Sequence, residues 1–327
     1  VCRCTYAAQW RSAAAAGVRR RIVLPEATDP RTLQAAGRSL DFCDVTLVCR
    51  RAELQDVRSL AKELRVPLEQ MELTSVEDHS SFEHLKQQLA DRRAGKKLPD
   101  CLQPLHFANM LVAAGLADGH VAGALHSSGD VVRSAFQIVG LQPGVSKVSS
   151  FFVMMPPDKD PLVFADCAVM VNPTAAELAE MADMAAVNYQ SLFPDSEPRV
   201  ALLSFSTKGS AKDPAVDKVI EAWELLKLRR PELICDGELQ LDTALVPSVA
   251  ASKAPGSPVA GKANILIFPN LESANIGYKL VQRLGNSKAV GPVLMGLQRP
   301  CNDLSRGCST EDIEGVMVFT ALQASQS

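Results

Sequence analysis

Short apolar runs alternate with amphipathic stretches along most of the 327-residue chain. Arg21 to Pro25 (RIVLP) has the pattern of a buried strand closed by proline. The polar turn Glu26 to Pro30 sets a proline at a helix start, and Arg31 to Leu40 reads as that helix. Val45 to Cys49 is a second buried strand and Ala52 to Val66 a second helix. Phe82 to Arg93 and Pro104 to Leu116 read as helices, Val121 to Leu125 as a strand, and Val131 to Val139 as a helix after the loop His126 to Asp130. Strand followed by helix, repeated, implies a parallel sheet covered on both faces. Ligands then bind beyond the carboxyl ends of the strands.

From about Ser149 the pattern restarts. Phe151 to Met155 and Leu162 to Ala165 read as strands, joined as a hairpin across residues 156–161. Thr174 to Leu192 is a long helix, Val200 to Phe205 a strand, Ala215 to Leu228 a helix, Ile265 to Phe268 a strand and Ile276 to Leu284 a helix. The expected organisation is a discontinuous α/β domain I (1–149 and 292–327) with an inserted α/β domain II (150–291).

Polar chemistry concentrates between Pro292 and Asp312 (PVLMGLQRPCNDLSRGCSTED), read as a loop between two apolar segments. Ser305 offers a hydroxyl, Arg306 a fork of guanidinium donors and Asp312 a carboxylate. Together these can hold an oxyanion or phosphate and accept a proton from a nucleophile. The same residues also have a plain structural reading, with Ser309 as N-cap and Asp312 at the capping-box position of a helix from Ile313. Spacing alone leaves both open.

Two other loops after apparent strands, HSSGDVVR (126–133) and SFSTKGSAK (204–212), carry hydroxyls with a base ahead of a helix, a pattern suited to phosphate. Gly256 to Ala263 nearly matches GxxxxGK(S/T). It lacks the Mg²⁺-binding hydroxyl at Ala263, has Pro258 inside the cradle and precedes a strand. Cys167 follows a strand and reads as a structural thiol more readily than as a nucleophile.

Composition narrows the field. A net charge of −3 with few aromatics offers no nucleic-acid surface, and no apolar run reaches the roughly 20 residues of a bilayer span. The nine cysteines form no CxxC pair and fit a reducing compartment. No His/Cys spacing suggests a metal. Residues 1–21, with five arginines and no acid, resemble the end of an organellar transit peptide or equally a basic first helix. The expected location is a chloroplast or mitochondrion, with the cytoplasm as the alternative.

With these residues in view, the chain resembles the phosphate acetyl/butyryl transferase (phosphotransacetylase) family. The stretches that carry the likeness include LPEATDPRTLQAA (24–36), LADGHVAGALHSS (116–128), SFSTKGSAKD (204–213) and GPVLMGLQRPCNDLSRGCSTEDI (291–313). The resemblance implies two α/β domains with a cleft between them, similar to isocitrate and isopropylmalate dehydrogenases. It implies reversible conversion of acetyl phosphate and coenzyme A into acetyl-CoA and phosphate, with coenzyme A as substrate and no permanently bound cofactor. Ser305, Arg306 and Asp312 fall on the family's catalytic positions. Arg31, Arg93 and Arg133 fall on its coenzyme A-binding arginines, and Ser127 and Ser128 are candidate phosphate donors. A homodimer and a functional link to acetate kinase are implied too. Two rival readings stand beside this one: an acyltransferase for a larger group such as butyryl, and a non-catalytic module that binds acetyl-CoA as a sensor.

Overall fold

A computed structural model of the chain describes residues 3–157 and 159–325. In chain order the first stretch holds α1 (Arg3–Ala16), β1 (Arg20–Leu24), α2 (Pro30–Arg38), β2 (Cys43–Cys49), α3 (Leu54–Glu63), β3 (Glu72–Ser75), α4 (Phe82–Arg92), α5 (Pro104–Ala113), β4 (Gly119–Ala122) and α6 (Ser128–Ile138). The middle stretch holds β5 (Ser149–Met155), β6 (Leu162–Ala165), α7 (Ala175–Leu192), β7 (Arg199–Leu203), α8 (Pro214–Arg229), β8 (Ile234–Leu239), α9 (Leu241–Leu245), α10 (Pro247–Lys253), β9 (Ile265–Ile267), α11 (Leu271–Arg283) and β10 (Lys288–Met295). The chain ends with β11 (Cys301–Asp303) and α12 (Thr310–Ala324).

Two compact units result: Cys4–Pro143 with Gly291–Ser327, and Gly144–Val290. Each is a layered α/β structure. The first contains a five-stranded parallel sheet of order β11-β4-β1-β2-β3. All four residues of β4 are buried, as a strand covered on both faces requires. On it Leu105 of α5, Ala122 of β4 and Val131 of α6 form one apolar cluster. The second unit holds most of a six-stranded sheet of order β10-β5-β6-β9-β7-β8. Here β5 and β6 are antiparallel, forming the expected hairpin, while β6, β9, β7 and β8 run parallel. Asp158, within the hairpin connection, lies outside the described residues.

Local chemistry sets the helix starts. Asp29 caps α2 by accepting from the backbone N–H of Arg31 (2.8 Å) and Thr32 (3.3 Å), with Pro30 in the first turn. Thr174 and Glu177 form a capping box on α7. Asn270 caps α11, so that helix begins five residues before the expected Ile276.

Several elements depart from the sequence pattern. The strand expected over Val121–Leu125 is β4 at Gly119–Ala122, because the next four backbone N–H groups turn to a buried carboxylate. Strand β8 is invisible to hydropathy because it carries Asp236 and Glu238, both buried. Lys208 Nζ neutralises Asp236 at 2.5 Å, and Ser206 Oγ (2.9 Å) and the Gly209 N–H (2.7 Å) donate to Glu238. Strand β11 lies inside the segment read as loop. Its Asn302 is fully buried, accepting from Leu294 N–H (2.7 Å) and donating to Thr320 Oγ1 and Gln323 Oε1 (2.9 Å each). The near-P-loop at 256–263 packs on its own unit: the Gly261 N–H donates to Thr243 O at 2.9 Å, and Ser257 Oγ donates to Asp236.

The basic N-terminal stretch is helix α1, joined to the first unit; residues 1 and 2 lie outside the described residues. Trp10 is 5% exposed, and its ring meets Phe319 of α12 edge-on at 5.0 Å. Arg11 pairs with Asp41 at 2.7 Å and Glu314 at 3.3 Å. Trp10→Ala should therefore lower the free energy of unfolding by about 3 kcal/mol in urea titrations, the usual scale for emptying a buried aromatic site. A detached leader would leave the unfolding midpoint unchanged.

Candidate active site

The site is built where β1, β4 and β11 end at their carboxyl edge. Leaving β1, the chain buries Glu26 (2% exposed). One of its carboxylate oxygens accepts from the N–H of Gly123 (2.9 Å) and Ala124 (2.8 Å). The other accepts from the N–H of Leu125 and His126 (2.9 Å each) and meets His126 Nδ1 at 2.7 Å. Burial pushes the Glu26 pKa up. The His126 side chain and the N–H groups of Leu125, His126 and Ala124 together outweigh that and hold it below the ordinary 4.5. His126 in turn is raised, by its bond to Glu26 against the opposing effect of burial. A buried anion thus gathers residues 123–126 and delivers the chain to α6.

Gly123 is obligatory there. Its φ is +120°, and a Cβ would lie 2.6 Å from Asp303 Oδ1 and 2.5 Å from Leu304 O. The extension of β4 and the end of β11 are therefore in direct backbone contact. Ser127 caps α6: its Oγ accepts from the Asp130 N–H (3.2 Å) and donates to Asp130 Oδ2 (2.7 Å). Ser128, at the first helical position, is exposed.

Arg31 ties three loops together. Nε and Nη2 grip Asp29 at 3.1 and 2.7 Å, Nη2 also donates to Ala124 O (3.1 Å), and Nη1 donates to the carbonyls of Arg306 (2.9 Å) and Cys308 (2.8 Å). A guanidinium has five N–H groups, and these contacts use them all. The backbone of the 305–308 loop is thus fixed, while the Ser305 and Arg306 side chains are exposed and Cys308 is buried. Ser305 Oγ accepts from the Gly307 N–H at 3.3 Å. Among the described residues the Arg306 guanidinium has no hydrogen-bond or ion-pair partner. Asp312, half-buried in the first turn of α12, is the capping-box residue that the spacing suggested: one of its oxygens accepts from Ser309 N–H and Oγ (2.9 Å each). Among the described residues its other oxygen carries no such bond.

The remaining candidates lie around this centre. Arg133 stands on α6, exposed, with Nη1 on Asp130 at 3.1 Å. Arg93 is at the other end of that helix, donating to Gln137 O (2.9 Å) and Lys97 O (3.2 Å). That is roughly 14 Å along the axis from Ser128 at 1.5 Å per residue. Cys167 is buried in the other unit; burial raises its thiol pKa well above the ordinary value, with Asp166 adding to the rise, so the thiol is inert. Among the described residues no group of three His, Cys, Asp or Glu side chains is placed to hold a metal, and no helix is long and apolar enough to cross a membrane.

A free guanidinium, an exposed hydroxyl, a helix N-terminus and a half-free carboxylate suit a phosphorylated ligand. The family model for phosphate acetyl/butaryl transferase matches residues 8–321. The chain belongs to this family. It is 44% identical over 309 residues to the phosphate acetyltransferase of Bacillus subtilis (strain 168), covering 93% of this chain and 94% of that one. Among solved structures it is similar to a phosphotransacetylase from Streptococcus pyogenes, with a TM-score of 0.94, 42% identity and full coverage of both chains. It is also similar to the EutD phosphotransacetylase from Staphylococcus aureus, with a TM-score of 0.89 and 42% identity over 97% of this chain and 99% of that one.

For a phosphate acetyl/butyryl transferase, the organellar expectation drawn from residues 1–21 does not stand. The family match begins at residue 8, these relatives are bacterial, and α1 packs through Trp10 into the core. Sequence reasoning also missed Glu26, His126 and Asp303, which carry the site's architecture. Glu26 had a usable signal: a carboxylate directly after a buried strand, with no basic neighbour until Arg31. Its folded pKa lies below the free value, so its contribution to stability is complete above about pH 4.5 and is lost as pH falls through the folded pKa. Glu26→Gln, which keeps one acceptor oxygen of two, should cost about 3 kcal/mol at neutral pH in chemical denaturation. The difference from the native chain should shrink on acidification; a constant difference would show that the carboxylate charge is immaterial.

Proposed function

We propose that the chain transfers an acetyl group between phosphate and coenzyme A by direct attack of the coenzyme A thiolate on acetyl phosphate in a ternary complex. The acyl transfer follows from membership of the family and from phosphate acetyltransferase relatives matched over nearly the whole chain. The assignment of roles is our reading. The observation that carries it is the 305–312 segment, whose backbone is clamped by Arg31 while Arg306 and one Asp312 oxygen are left free for ligand.

In this reading Asp312 takes the thiol proton on its free oxygen, and Ser309 holds the carboxylate in one orientation. The thiolate forms the C–S bond, the tetrahedral centre collapses, and the C–O bond to phosphate breaks with its electron pair leaving on phosphate. Arg306 neutralises the phosphoryl oxygens. Ser305, whose oxygen already accepts from the Gly307 N–H, donates its O–H to the developing oxyanion or the leaving phosphate. Ser128 and the N–H groups of the first turn of α6 receive phosphate, with Ser127 fixing that turn. Arg133 and Arg93 bind the coenzyme A polyanion along α6, Arg133 from its exposed position on the helix and Arg93 from the far end, where it donates to Gln137 O and Lys97 O. Arg31 has no N–H to spare and serves by positioning Arg306 and Cys308.

The chain acts as a homodimer in this proposal. Ile276 and Leu280 are about half exposed on one face of α11 and Leu284 lies one turn on, an apolar stripe that suits a second copy. The acetate kinase link belongs to the same proposal, as the enzyme class that makes and consumes acetyl phosphate.

Thioester formation from acetyl phosphate and coenzyme A tests the reading, with butyryl phosphate as competitor. Asp312→Asn should lower kcat by about 10² to 10⁴ with the fold intact. Arg306→Ala should raise KM for acetyl phosphate and lower kcat, leaving KM for coenzyme A nearly unchanged. Near-normal turnover by Asp312→Asn would remove it as the base. Binding of acetyl-CoA without any thioester formation would replace the enzyme reading with the sensor reading.

A further inference from the structure

The His126 ring has one nitrogen committed and one open. Nδ1 lies 2.7 Å from Glu26 Oε1. That oxygen also accepts the N–H of Leu125 and His126, and its twin accepts the N–H of Gly123 and Ala124. An ionised carboxylate can only accept, so Nδ1 carries the proton of the shared bond. Nε2, across the ring, has no hydrogen-bond partner among the described residues. The His126 side chain is 30% exposed and that of Glu26 only 1%, so the open edge of the ring is the one that carries Nε2. The residue stands directly before Ser127, the N-cap of α6, and Ser128, its first helical position.

Among the described residues His126 is the one ionisable side chain in hydrogen-bond contact with Glu26. A buried anion favours a proton on its partner. The bond to Glu26 raises the His126 pKa above the ordinary 6.5, burial opposes it, and the fields of Glu26 and Asp130 add to the rise. The other charged and titratable groups around the pair are engaged or neutral. Asp130 on α6 accepts from Ser127 Oγ and Arg133 Nη1. Arg31 on α2 has its N–H groups on protein acceptors. His120 on β4 is neutral, its pKa lowered by burial to about 4. Asp303, at the end of β11, is 1% exposed, and burial pushes its pKa up to about 7.

We propose that His126 is a substrate-binding residue: its Nδ1–H stays on Glu26, and the Nε2–H of the imidazolium donates to a phosphoryl oxygen held at the first turn of α6. An imidazolium has two N–H donors, whereas the neutral ring with Nδ1 protonated turns a lone pair at Nε2 towards the anionic substrate. Glu26 then does more than gather the backbone of residues 123–126. It also fixes the direction of the ring and favours its charge. The inference rests on the phosphate-side reading of α6 proposed above.

Sulfate, a dianion at every pH concerned, serves as competitor of acetyl phosphate on the full chain from about pH 6 to about pH 9. In the native chain sulfate inhibition should weaken and KM for acetyl phosphate rise as pH passes through the His126 pKa, by up to tenfold per pH unit, with KM for coenzyme A flat. His126→Asn has an amide N–H that can replace Nδ1–H on Glu26 and nothing at the Nε2 position. It should raise KM for acetyl phosphate by about 10- to 100-fold at low pH, the scale of a hydrogen bond between charged groups, and show no pH slope. A reading that needs no variant is the NMR titration of the native ring, whose pKa saturating sulfate should raise. A pKa that sulfate leaves unchanged overturns the proposal. So does native-like KM for acetyl phosphate in His126→Asn, a slope that persists there and so belongs to another group such as Asp303, or a parallel change in both KM values. Absence of thioester formation by the native chain sinks the acetyl-transfer reading instead, and the NMR shift still decides whether His126 binds the anion.

Discussion

Glu26 is the hinge of the first unit. Its carboxylate, nearly sealed from solvent, accepts the N–H groups of four consecutive residues, 123–126, and meets the His126 ring. Those N–H groups belong to a chain that has just left the sheet. Without an acceptor they would be orphaned in a buried setting at a cost of a few kcal/mol in all. With one they are satisfied together, and the geometry of the carboxylate dictates where β4 stops and where α6 starts. Ser128 reaches the surface at the sheet's carboxyl edge because Glu26 puts it there.

A second device fixes the other wall. Asn302 locks β11 to the end of β10 and to α12, and Arg31 holds the carbonyls of Arg306 and Cys308. The two walls meet at Gly123, where backbone lies against Asp303 and Leu304 too closely for a Cβ. Polar clamps beneath, exposed functional groups above: this division is what preorganisation requires, because the groups that meet a ligand need not reorganise when charge develops. Arg31 illustrates it. The family resemblance set it among coenzyme A-binding arginines, whereas its five N–H groups are spent on protein acceptors.

Asp312 shows that a structural and a chemical reading of one residue need not compete. The capping box uses one carboxylate oxygen and the first-turn N–H of its own helix. The other oxygen stays available, and the cap keeps it in one orientation. Spacing had offered the two readings as alternatives because a linear pattern counts residues, whereas a carboxylate has two oxygens that can serve separately.

Much of this fold is legible in the sequence alone. Strands β1, β2 and β5 and helices α2, α7 and α8 are strongly periodic or capped by recognisable Asp-Pro and Thr-x-x-Glu patterns, and the quoted family stretches carried the activity. What sequence could not supply was the sense of buried charge. Strand β8 hides Asp236 and Glu238 behind partners from another loop, β11 is three residues long with a polar pair, and Glu26 looks like an ordinary turn acid. The basic stretch at residues 1–21 has a transit-like composition, and only packing of Trp10 on Phe319 makes it part of the core. Local preference and hydrophobic period are properties of neighbouring residues, so sequence alone determined the α/β class, the alternation and the residue types of the site. Which acid is ionised, which arginine is free and which hydroxyl faces solvent depend on partners up to a hundred positions or more away, and those only the tertiary structure decided.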